Sequence, residues 1–149
     1  LFSTSCETGA CVSGADDSEI SALREYGYNL GMAFQIMDDI LDMTADEKVL
    51  GKPVGSDLRQ GNISLPVIYC LRNSSQKDIL KDMILKSRDD ESLIIEIINM
   101  VKAEGGMEYA AGVADKFIDK ALAEVDKLKP GKHRTAMKEI ADIVVKRNY

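Results

Sequence analysis

Three carboxylates, Asp38, Asp39 and Asp42, stand at a spacing that could do chemistry, with Gln35 just ahead of them. They fall in Gly31-Met-Ala-Phe-Gln-Ile-Met-Asp-Asp-Ile-Leu-Asp42, whose pattern predicts a helix. Each helical residue advances about 100°, so with Asp38 at zero, Asp42 lies at about 40°, Gln35 at about 60° and Asp39 at about 100°. One polar stripe therefore carries all four side chains. Phe34, Ile36, Met37, Ile40 and Leu41 fill the rest of the circumference. A helix apolar on most sides belongs inside a bundle, where carboxylates lacking a counter-charge would be very costly. Mg²⁺ is the natural counter-charge, because it takes hard oxygen ligands and is commonly shared between one or two carboxylates and substrate phosphates. The bland alternative is an acidic face turned to water. The apolar flanks and the basic loop that follows favour the metal. The spacing of the aspartates and the position of the next glutamate do not match an EF-hand.

That loop carries Lys48, Lys52 and Arg59 among Gly51, Gly55 and Gly61. Glycine lets a backbone approach an anion closely, and Pro53 stiffens the segment. Asp57 is placed to partner a lysine or a metal-bound water. Such a loop alone is as readily a solvated surface. Directly after a carboxylate stripe, it makes a metal-plus-phosphate site the better reading.

Phe34-Gln35-x-x-Asp38-Asp39-x-x-Asp42, then Gly51-Lys52-x-x-Gly55-x-Asp57-x-x-x-Gly61, then Ser64-Leu65-Pro66, resembles the second aspartate-rich motif of the trans-isoprenyl (polyprenyl) diphosphate synthases. The pattern is specific and runs in order from Phe34 to Pro66. The helical pattern on either side is compatible with the family but less diagnostic. The resemblance implies an all-α, antiparallel helical bundle of the isoprenoid synthase type, of which this chain is about half. It implies a Mg²⁺-dependent prenyltransferase that condenses isopentenyl diphosphate with an allylic diphosphate. Carried over residue by residue, Asp38 leads the metal ligands, with Asp39 and Asp42 supporting it directly or through water. Lys52 contacts the allylic diphosphate and, with Asp38, serves the chemistry. Asp57 belongs to the outer shell, and Phe34 and Gln35 line the pocket near the prenyl tails.

Within the motif the chain departs from the family at two positions. The family usually carries Gly-Lys where this sequence has Gly61-Asn62, so one cation that would reach the diphosphate is replaced by a neutral hydrogen-bond donor. Ser64 replaces a usual threonine. The Lys-Thr pair and the first aspartate-rich motif of the family are absent as well, and Leu1 is not an initiator methionine. Residues 1–149 are therefore expected to be the C-terminal part of one isoprenoid synthase domain, inactive alone. They are expected to form a homo-oligomer such as a dimer, or to associate with the missing N-terminal half. A basic C-terminal tail folds over the diphosphate pocket in some family members, which makes Lys146-Arg147 a candidate for that role. Product length is not legible, because the residues that set it lie around the first motif.

Composition agrees with a globular chain. Of 149 residues, 45% are hydrophobic, the formal net charge is −6, and no basic tract suits nucleic acid. Cys6, Cys11 and Cys70 form an odd, sparse set that reads as buried thiols in a reducing compartment. No apolar run approaches a membrane span, and the default location is cytoplasmic.

The elements that must position the site are all helical by periodicity. Helices are predicted from Leu1 to about Val12, and from about Ser18 to Met43 behind caps at Asp16, Asp17 or Ser18. Gly27 and Gly31 predict close approach of a neighbouring helix. Residues 44–63 form the loop, and Ser64 caps a short helix with Pro66 in its first turn. Apolar faces follow at Ile79, Leu80, Met83 and Ile84, then at Leu93, Ile94, Ile97, Ile98 and Val101. A longer helix runs through Met107, Ala114, Ile118 and Val125 to a break at Pro130-Gly131. The last is lined by Met137, Ile140, Ile143 and Val144. The methionines read as core, and His133 as an exposed residue near a helix start.

Two other classes remain open on sequence. One is a non-catalytic or regulatory subunit of a heteromeric synthase, which the intact Asp-Asp-x-x-Asp opposes and Asn62 weakly favours. The other is an independent helical binding domain with a metal-stabilised core.

Overall fold

The computed structural model describes residues 1–44, 51, 53–87 and 90–145. Among them the elements are α-helices and no strand occurs, as the periodicity predicts. They are α1 (Phe2–Val12), α2 (Asp17–Thr44), α3 (Ser56–Arg59), α4 (Leu65–Asn73), α5 (Lys77–Lys86), α6 (Glu91–Ala103), α7 (Gly106–Asp126) and α8 (Lys132–Val145). None of these helices is long and apolar enough to cross a membrane. By contacts the described residues divide into two compact units, one within 1–37 and 113–145 and the other within 38–112. Helices α2 and α7 each contribute to both.

In the first unit, α2 starts where its cap dictates. Asp16 Oδ1 accepts hydrogen bonds from the Glu19 amide at 2.9 Å and the Ser18 hydroxyl at 2.6 Å, and the Asp16 amide donates to Glu19 Oε2 at 3.4 Å. This reciprocal arrangement satisfies amides that the first helical turn leaves unpaired. The Ser18 hydroxyl, then the Glu19 amide, hold the Asp16 carboxyl below its ordinary pKa. Ala22, Tyr26, Leu30 and Ala33 follow at helical spacing and are buried. The Tyr26 hydroxyl donates to the Met137 carbonyl on α8 at 2.9 Å, and burial pushes its pKa up to about 12. The expected apolar face of α8 is corrected here. Ile140 and Ile143 are exposed, whereas Ala141 and Val144 are buried, because the covered strip is narrow and runs through Met137, Ala141 and Val144. His133 is exposed at the start of α8, as expected.

In the second unit, α4, α5 and α6 pack on one another. Val67, Cys70, Leu80, Ile94, Ile97 and Val101 are completely covered at their centre. Ile79, expected on the buried face of α5, is instead exposed, and Leu80 carries that face. Asp90 caps α6, its Oδ1 accepting from the Ser92 amide at 3.0 Å and the Leu93 amide at 3.3 Å. Ser64 caps α4 by position, yet its hydroxyl makes no capping bond and is buried without a partner among the described residues. Pro66 stands in the first turn and has no N–H, which removes one of the amides that a serine cap usually receives.

The described cysteines are free thiols, with Cys70 buried and Cys6 half-buried. Burial pushes both thiols above their ordinary pKa. Cys11 is exposed, against expectation, because Ala10 is the one residue that α1 fully buries.

Candidate functional site

The last turns of α2 hold the aspartates as the sequence spacing requires, but they sit in different surroundings. Asp38 is exposed, Asp39 is half-buried, and Asp42 is only 1% exposed. Asp42 Oδ2 accepts a hydrogen bond from the Asp57 backbone amide at 3.1 Å. The Asp42 carbonyl accepts from the Gly55 amide at 2.8 Å. Both bonds bring the far side of the loop back onto the end of α2.

Helix α3 lies inside the segment expected to be an irregular loop. Its start requires glycine, because Gly55 has φ +72° and a Cβ there would stand 2.6 Å from Ile94 Cγ2. Leu58, 3% exposed, anchors the helix in the core of the second unit. The sequence signal was present in Gly55-Ser56-Asp57-Leu58, an N-terminal helix signature with one apolar anchor, hidden by the brevity of the element. Beyond α3, the Asn62 amide donates to the Asp57 carbonyl at 2.8 Å, and the Asn62 side chain is exposed.

Of the loop cations, Lys48 and Lys52 lie outside the described residues. Arg59 is described, and its guanidinium reaches Glu91 Oε1 at 3.2 Å. Phe34 and Gln35 sit four and three residues before Asp38 on α2. Both line an open cavity of about 440 Å³ in the first unit, together with Leu1, Phe2, Gly31 and Met32. The Phe34 ring packs on Phe2 with centroids 5.3 Å apart and planes inclined by 39°.

The donor set suits a hard divalent cation shared with a ligand. Asp38 is exposed and Asp39 half-buried on α2, and no group of three or more His, Cys, Asp or Glu side chains gathers into a metal site among the described residues. Mg²⁺ is commonly held this way, by one or two carboxylates with water and phosphate oxygens filling the remaining positions.

Helices throughout the described residues, with a carboxylate stripe on α2 followed by a glycine-rich basic stretch of sequence, set the class of helical protein to which this chain belongs. The comparisons name the class more closely. The family model described as polyprenyl synthetase matches residues 1–101. Component 2 of heptaprenyl diphosphate synthase from Bacillus subtilis is 40% identical over 149 residues, which are all of this chain and 42% of that protein. Among solved structures, heptaprenyl diphosphate synthase from Staphylococcus aureus aligns with a TM-score of 0.90 at 34% identity, covering 99% of this chain and 46% of that one. The polyprenyl synthase from Caulobacter crescentus, solved with calcium and isoprenyl diphosphate, aligns with a TM-score of 0.89 at 31% identity, over 99% and 46%. This chain belongs to the polyprenyl synthetase family, and it spans less than half the length of each of these three relatives.

Proposed function

We propose that the protein containing this chain is a trans-prenyltransferase that joins isopentenyl diphosphate to an allylic diphosphate and releases diphosphate. The single observation that carries this reading is the carboxylate face of α2, with Asp38 exposed and Asp39 beside it, in a chain of this family. In the reaction the allylic carbon–oxygen bond breaks, its carbon bonds to the isopentenyl double bond, and a proton is then lost. Negative charge grows on the leaving diphosphate, so preorganised positive charge lowers the barrier. A divalent ion, Mg²⁺ in this proposal, supplies Lewis acidity to that leaving group when bound.

The chain's own residues divide the remaining work. Asp38 leads the metal set, with Asp39 supporting it and Asp42 contributing indirectly. Lys52 contacts the allylic diphosphate, and Asp57 stands in the outer shell. Phe34 and Gln35 line the apolar cavity, whose walls would keep water from an allylic cation. Support for a divalent metal comes from the Caulobacter crescentus relative, solved with calcium and isoprenyl diphosphate. Residues 1–149 would then form the C-terminal part of a single synthase domain.

The test is turnover by the full polypeptide. Asp38→Ala should lower the rate by orders of magnitude, and Asp39→Ala by less. A rate near wild type for Asp38→Ala at saturating Mg²⁺ would overturn the assignment. A second reading is favoured by the Bacillus subtilis relative, whose name describes one component of a synthase. In that case the chain works with a separate partner subunit. Turnover by the full polypeptide purified alone would exclude it.

A further inference from the structure

We propose that Asp42 is a positioning residue, which sets the start of α3 and through it the place of Asn62 relative to the Asp38–Asp39 face. The proposal rests on the function above only for what that face binds. Helix α2 ends at Thr44, so the carbonyl of Asp42 is among the last four, which have no partner within the helix. The Gly55 amide fills that need at 2.8 Å. Helix α3 begins at Ser56, so the Asp57 amide is among its first unpaired donors, and Gly55 has no side chain to cap it. Asp42 Oδ2 fills that need at 3.1 Å.

One buried residue thus closes the end of one helix and the start of another. A carboxylate suits the second task, because charge-assisted bonds to amides are stronger than neutral ones. The linkage continues past α3, since the Asp57 carbonyl holds the Asn62 amide at 2.8 Å. The Asp42–Asp57–Asn62 sequence of bonds therefore ties the end of the aspartate motif to the loop position that departs from the family pattern. Asp38 is exposed and Asp39 half-buried, while Asp42 is closed to solvent at 1% exposure.

The test uses the full polypeptide with Asp42→Asn, Asp42→Ala and Asp38→Asn. Two quantities are measured: amide hydrogen exchange across residues 55–57, and binding of Mn²⁺ with inorganic diphosphate by electron paramagnetic resonance. Asparagine retains an oxygen that can accept the Asp57 bond. Asp42→Asn should therefore keep slow exchange and weaken binding less than Asp38→Asn does, whereas Asp42→Ala should speed exchange about tenfold or more and weaken binding further. Asp38→Asn should abolish binding and leave exchange unchanged.

Slow exchange in Asp42→Ala would overturn the proposal. So would fast exchange in Asp42→Asn, or a loss of binding in Asp42→Asn as deep as in Asp38→Asn with exchange unaltered. If the wild-type protein binds no Mn²⁺–diphosphate, the enzymatic reading fails, and the exchange arm still decides the role of Asp42. If Asp42→Ala does not fold, exchange in Asp42→Asn decides it.

Discussion

Gly27 lies against the backbone of Phe2: a Cβ at Gly27 would stand 2.6 Å from the Phe2 carbonyl oxygen and 2.9 Å from Ser3 Cα. The start of α1 and the middle of α2 therefore meet at a distance that only glycine allows. One turn later, a Cβ at Gly31 would stand 3.1 Å from Phe2 Cβ. Gly27→Ala should destabilise the protein by about 1–3 kcal/mol, because backbone atoms must move. Gly31→Ala should cost less, since its overlap is milder: 3.1 Å to Phe2 Cβ, against 2.6 Å to the Phe2 carbonyl oxygen at Gly27. Chemical denaturation of the two variants measures the difference. Equal stability of Gly27→Ala and wild type would mean that α1 is not held as described.

Asn62 gives a gain-of-function prediction for the proposed diphosphate site. Its side chain is exposed while its backbone is held by Asp57, so a longer side chain can be introduced without disturbing the loop. Asn62→Lys should tighten diphosphate binding in the presence of Mg²⁺. A charge-assisted hydrogen bond contributes about 1.5–3 kcal/mol before solvent screening, so a gain of up to about tenfold is expected. Calorimetric titration of the full polypeptide measures it. Unchanged binding would indicate that another cation already fills that place.

Acid stability should depend on three aspartates, Asp16, Asp90 and Asp126, all held below their ordinary pKa. The leading causes are the Ser18 hydroxyl for Asp16, the Ser92 hydroxyl for Asp90 and the Lys138 ammonium for Asp126. A lowered carboxylate pKa stabilises the folded state above the unfolded value of about 3.9, and the stabilisation disappears as pH falls through the folded value below it. Denaturation midpoints should therefore fall as pH drops from about 5 to about 2. Replacing all three by asparagine should flatten that slope, and an unchanged slope would assign the acid sensitivity elsewhere.

Alkaline stability should report on Tyr26. Its pKa is pushed up to about 12, chiefly by burial and secondarily by the Cys6 thiolate charge. An unfolded tyrosine loses its proton at about pH 10, so this contribution is complete below that value and is lost as pH rises towards the folded value. Tyr26→Phe should remove that part of the alkaline slope. At neutral pH it should cost about 0.5–1.5 kcal/mol, the usual net contribution of one hydrogen bond, here the one to Met137. Loss of stability with pH identical to wild type would show that Tyr26 is not the titrating group.

Much of this protein was already determined by the order of its residues. Apolar spacing and the cap candidates around Asp16 placed α2 within a residue of its observed ends, because periodicity and capping are local properties. The pairing of Gly27 and Gly31 announced a close neighbour for the same reason. The aspartate stripe and glycine-rich loop likewise identified the family, since its motif lies within one continuous stretch from Phe34 to Pro66. Tertiary structure decided what local spacing cannot carry. Helical phase makes Asp38, Asp39 and Asp42 near neighbours, but burial separates Asp42 from the other two. The amides that Asp42 meets belong to Gly55 and Asp57, more than ten positions further along the chain. The same reason explains Ile140 and Ile143, which have the periodicity of a buried face yet remain exposed. A pattern specifies which residues share a face, whereas only the packed neighbours determine how wide a strip of that face is covered.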